Sequence, residues 1–149
     1  MAAFVRFQSA APNRHGRYPG VFAMVNGLAR AGRLSAADAD WHRRATLTAE
    51  DTYADPATVD PRCFDRTSNP GARSWFRADA AALLELTAGW LALLDRYGVG
   101  WVECRTSRPG RIVYADDVQV VAVPFSYPRD WPFTHPTSTA GTQTHHPHP

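Results

Sequence analysis

The stretch WVECRTSRPGRIVYADDVQVVAV, residues Trp101 to Val123, decides the fold class. Apolar and polar residues alternate over Trp101 to Thr106, Arg108-Pro109-Gly110 has the proline-then-glycine order of a type II turn, and Arg111 to Ala115 resumes β-type residues. Asp116-Asp117 interrupts the run, Val118 to Val123 continues it and Pro124 closes it. The reading is a hairpin of 101–106 with 111–115, extended by 118–123, as a third strand or a bulged continuation, into an antiparallel meander. A short alternating segment at the other end, residues 3–8, adds an edge strand.

Between these β regions the spacing is helical. Val21, Met24, Val25, Leu28 and Ala31 predict a helix over 21–31 that Gly32 ends. Ser35 and Asp38 form a capping box that starts a second helix, which runs with a break near Thr48 to Asp55-Pro56. A connection over 55–71 has one short turn at 61–66. Asn69-Pro70 then supplies a cap and a first-turn proline for a long third helix, 70–97, with Phe76, Ala80, Leu83, Leu84, Thr87, Trp90, Leu91 and Leu94 on its buried stripe. Gly89, inside that stripe, marks a kink or a close backbone approach. Tyr97-Gly98 ends the element.

The expected architecture is therefore α+β: one domain over 1–126, in which a small antiparallel sheet, the N-terminal strand plus the C-terminal meander, packs against about three helices. Residues 127–149 hold five of the twelve prolines and no apolar period, so this Pro/His-rich tail is expected to be disordered, with Trp131 and Phe133 docking on the body. Trp75, Trp90 and Trp101 fall at core positions, whereas Trp41 reads as an exposed contact residue. With 149 residues and 44% apolar composition the chain is long enough for a core of its own. Its longest apolar candidate, 78–97, contains Asp79, Glu85, Asp95 and Arg96, which argues against a membrane span. The opening residues lack the pattern of a secretory signal, so the cytoplasm is the expected compartment.

Composition removes whole classes of chemistry. All 16 basic residues are arginine, which excludes a P-loop lysine, a Schiff-base nucleophile, a kinase lysine and a nuclease site built on paired acids with a strand lysine. The excess of arginine, alanine, glycine and proline reads as the codon bias of a high-GC bacterial genome. Cys63 and Cys104 stand 41 positions apart without a CxxC, so a zinc ribbon is excluded and both are expected to be free thiols, Cys104 buried in a strand. His135, His145, His146 and His148 lie in the tail, where adventitious metal binding is the simpler reading. His42 stands beside Arg43 and Arg44 on a solvated helix face. No cofactor motif is present, and neither a cofactor nor a structural metal is expected.

Charge is unevenly spread. Residues 1–37 carry Arg6, Arg14, Arg17, Arg30 and Arg33 with no acid, while residues 51–101 carry seven acids against five arginines. The net charge of +2 is too small to suggest general nucleic-acid binding. Arg14-His15-Gly16-Arg17 is the anion-site candidate, since a glycine between guanidinium and imidazole donors lets them converge on phosphate or carboxylate oxygens, with Arg105 as a further ligand-binding residue. The leading functional expectation is a non-catalytic binding or accessory module for an anionic small molecule or an acidic protein surface. The alternative is a lysine-free transferase or hydrolase on a phosphate-bearing substrate. There Glu103 or Asp116 would serve as base or metal ligand and His15 as acid, with Arg14, Arg17 or Arg105 as the substrate clamp.

Overall fold

A computed structural model describes residues 2–125 and 142–145. The element order is β1 (Phe4–Ser9), α1 (Val21–Arg30), α2 (Ala36–Thr52), α3 (Pro56–Val59), β2 (Arg73–Arg77), α4 (Ala81–Arg96), β3 (Trp101–Thr106), β4 (Arg111–Ala115), β5 (Gln119–Val123) and β6 (Thr142–His145). The class is α+β, with all pairings antiparallel in a sheet of order β4-β5-β2-β1-β3-β6.

The long helix expected over 70–97 is two elements. Residues 73–77 form β2, and α4 starts only at Ala81. Trp75 and Phe76 are both buried, and they belong to different clusters. A strand covered on both faces shows an apolar doublet instead of alternation, which a helical period absorbs equally well. Asn69 does not cap a helix; its side-chain amide donates to the Arg62 carbonyl at 2.8 Å.

The meander is likewise rearranged. β3 pairs with β1 over six residue pairs, Phe4 with Thr106 through Ser9 with Trp101, and not with β4. The hairpin is β4–β5, with a bulge between Ile112 and Tyr114, and β1 is interior instead of an edge. At Gly110 φ is +137°, away from the roughly +80° that a type II turn sets, and the Arg108–Gly110 segment links β3 and β4, which lie on opposite sides of the sheet.

One face of the sheet, carrying Val5, Phe7, Phe76 and Trp101, packs against α1 and α4, whose Val25, Leu93 and Leu94 are fully buried. The other face carries Phe4, Trp75, Val102, Cys104, Val120 and Ala122. The three core tryptophans are 4%, 2% and 5% exposed in sequence order. Ser35 caps α2, its hydroxyl accepting from the Asp38 amide at 3.1 Å, and α2 runs unbroken through Thr48. Asp55 ends that region and caps α3, with Pro56 in the first turn.

Gly89 is a close approach, not a kink. A Cβ there would lie 2.9 Å from Cζ2 of Trp41, which packs partly buried against α4 instead of standing exposed. Cys63 and Cys104 are both buried and free. No helix among the described residues is long and apolar enough to cross a membrane. Part of the expected disordered tail, Thr142–His145, forms strand β6 against β3; Trp131, Phe133, His135, His146 and His148 lie outside the described residues.

Candidate binding cavity

β1 and β2 pair at only two positions, Phe4 with Arg77 and Val5 with Phe76, and then diverge. The chain returns at Gly20, which bridges Gln8 on the side β2 has left. Arg6 fills the split. Its Nη1 donates to the Ser74 carbonyl at 2.9 Å, Nη2 to the Tyr18 carbonyl at 3.0 Å and Nε to Oε1 of Gln8 at 2.8 Å. The same Gln8 oxygen accepts from Nη1 of Arg73 at 3.1 Å, so two guanidinium groups converge on one neutral amide.

Arg6 thus has only uncharged hydrogen-bond acceptors, and no ion pair among the described residues includes it. Burial pulls its pKa down from 12.5 to about 10, against a smaller upward pull from Cys104, so it remains cationic at neutral pH. Enclosing a charge without a counter-charge is unfavourable. An anion reaching it would relieve that cost.

A cavity of about 540 Å³ opens over this split. Its walls come from β1 (Arg6, Phe7), the start of α1 (Gly20 to Ala23), α2 (Thr46, Glu50, Tyr53), β2 (Arg73, Ser74, Phe76) and α4 (Leu83, Trp90). The first turn of α1 carries no acidic residue, and no side chain caps it, so the positive end of its dipole is left open. Gly20 lies against Arg6: a Cβ in its place would be in ordinary contact, 3.5 Å from both terminal nitrogens of the guanidinium.

Two polar groups on the α2 and α4 walls lack hydrogen-bond partners among the described residues. Trp90 is 2% exposed and packs edge-on against Phe22, with ring centroids 4.7 Å apart, yet its indole Nε1 has no hydrogen-bond acceptor; nor has the Thr46 hydroxyl a partner. His42 contacts Trp90 at 5.2 Å and Oδ1 of Asn26 at 2.8 Å, and burial lowers its pKa. Of the two lining acids, Asp55 is engaged in capping, accepting from the Ala57 amide at 3.0 Å and the Thr58 hydroxyl at 3.3 Å.

The residues singled out from sequence lie elsewhere, and none of Arg14, His15, Arg17, Glu103, Arg105 and Asp116 lines the cavity. Arg14, His15 and Arg17 are exposed on a loop organised by Asn13, whose side-chain oxygen accepts from the His15 and Arg17 amides at 2.9 and 3.0 Å. Arg14 donates to its neighbour His15 at 3.3 Å. Glu103 is paired with Arg105 on β3.

Asp116 is built into the β4–β5 corner. Its oxygens accept from the amides of Val118 and Gln119, both at 2.9 Å, and from the Tyr114 hydroxyl at 2.8 Å. Burial would raise its pKa, but these donors outweigh burial and hold it below the usual carboxylate range. The candidate acids therefore already have partners. Among the described residues no group of three or more His, Cys, Asp or Glu side chains is placed to hold a metal ion.

Arg6 entered the sequence reading only as one of five arginines in an acid-free N-terminal stretch, not as a candidate site residue. The signal that could have found it is the alternation Phe4-Val5-Arg6-Phe7-Gln8: in a strand flanked on both sides, the polar alternates become buried too. Comparison with known proteins adds no template: no family model, curated protein or solved structure matches the chain.

Proposed function

We propose that the protein is a non-catalytic binding module that holds a small organic anion in the cavity between α1, α2 and the β1–β2 split. The observation that carries this reading is the Arg6 guanidinium, partly buried with neutral hydrogen-bond partners only beside the uncapped start of α1. Hydrogen bonds to a charged group contribute about 1.5–3 kcal/mol net, so Arg6 should supply roughly ten- to a hundredfold in affinity. Free, buried cysteines fit a reducing cytoplasmic setting.

The test is equilibrium titration of the full chain with 8-anilinonaphthalene-1-sulfonate, an aromatic monoanion, read by its fluorescence at pH 8. Arg6→Met should weaken binding at least about tenfold, whereas replacing Arg14 and Arg17 with serine should leave it unchanged. Because Arg6→Met removes bonds that hold Ser74 and Tyr18, a second variant is needed. Ala23→Asp places a carboxylate in the first turn of α1, where it favours the helix and repels an anion in the cavity. Undiminished binding in natively folded Ala23→Asp, or weak binding in the wild type, refutes the assignment.

The exposed Arg14–Arg17 loop supports a second reading, contact with an acidic protein surface, because its arginines have no acidic partner among the described residues. Loss of binding in the Arg14 and Arg17 variant alone would favour it.

A further inference from the structure

Resting on the cavity reading above, we infer that the ligand is an amphipathic monocarboxylate, an organic acid with one negative charge on an apolar, ring-sized body. The head group is set by donor count. A guanidinium has five N–H donors; Gln8, Ser74 and Tyr18 take three of those on Arg6, which leaves the two that a single carboxylate accepts. The open first turn of α1 adds backbone donors beside it.

The charge of the lining limits the ligand to one negative charge. Arg6 and Arg73 are matched in number by Glu50 and Asp55. Asp55 is occupied with capping α3, whereas Glu50 is exposed and makes no side-chain hydrogen bond or ion pair among the described residues, so its carboxylate adds a solvent-screened repulsion to any second negative charge on the ligand. A phosphate monoester at pH 8 carries two charges and meets that repulsion. A bare inorganic anion, in turn, leaves most of a 540 Å³ space and its apolar walls, Val21, Phe22, Phe76, Leu83 and Trp90, without contact.

Three probes that share one ring system separate these terms: 2-naphthylacetate, 2-naphthylethanol and 2-naphthyl phosphate, titrated calorimetrically into the full chain at pH 8. The carboxylate is expected to bind at least tenfold more tightly than either of the others. Glu50→Gln, at a side chain that makes no fold contact through its carboxylate, should bring the phosphate to within about threefold of the carboxylate while leaving the alcohol unchanged. Phosphate binding as tightly as carboxylate to the wild type overturns the monoanion inference and leaves the anion-binding reading standing. Equal binding of carboxylate and alcohol, or no binding by any probe, overturns both.

Discussion

Gly89→Ala sets two opposed effects against each other in the interior of α4, and the structure decides which prevails. Helix propensity alone favours alanine by about 0.8–1 kcal/mol. Against this, the new Cβ would stand 2.9 Å from Cζ2 and 3.4 Å from Cη2 of Trp41, closer than carbon atoms pack. Trp41 is held by Trp90, edge to face at 5.9 Å, so relieving the overlap costs packing on both rings. Overpacking of this kind costs about 1–3 kcal/mol, which exceeds the propensity gain. The net expectation is a loss of about 1 kcal/mol, a fall of roughly 0.3–1 M in the urea midpoint followed by circular dichroism at 222 nm. In a Trp41→Leu background the indole is gone and the same substitution should stabilise by about 1 kcal/mol, a coupling of about 2 kcal/mol in the double-mutant cycle. A higher midpoint for Gly89→Ala alone, or additivity in the cycle, would show that Trp41 does not rest on the helix backbone.

Further expectations follow from single contacts. Burial lowers the pKa of His42, so the unfolded chain binds the proton more readily than the folded one; stability should be full above about pH 6.5 and fall as the pH drops through that value, and His42→Gln should flatten this slope in urea midpoints taken from pH 7.5 to 5. Ser35→Ala removes the acceptor of the Asp38 amide and should cost about 1 kcal/mol in chemical denaturation. Gly110→Ala places a Cβ at φ +137° against the Val123 carbonyl and should cost about 2 kcal/mol or more, read as a lowered melting temperature; an unchanged value would contradict the β4–β5 closure.

The cavity follows from topology more than from any local pattern. Arg6 and Gln8 carry no motif, and their chemistry arises because β1 acquires a neighbour on each side and then parts from β2. The basic loop at Arg14–Arg17 was conspicuous in sequence because its charges are contiguous, yet contiguity along an exposed turn does not build a cavity. Asp116 drew notice as half of an acidic pair, and the structure uses it to close a strand corner with backbone amides.

By itself the sequence determined what local physics can specify. The α+β class, the N-cap at Ser35, the starts of α1 and α2, the burial of Trp75, Trp90 and Trp101, and the exclusion of lysine chemistry all rest on residue type and on spacing within a few positions; the return half of the capping box did not form, because the Ser35 amide donates to the Tyr97 hydroxyl. Only the tertiary structure decided which strand lies beside which, because register and partner choice depend on burial summed across the sheet between segments up to about a hundred residues apart. That choice turned residues 73–77 into a central strand, sent β3 to β1 instead of β4, and enclosed an arginine where the sequence showed only an alternating polar residue.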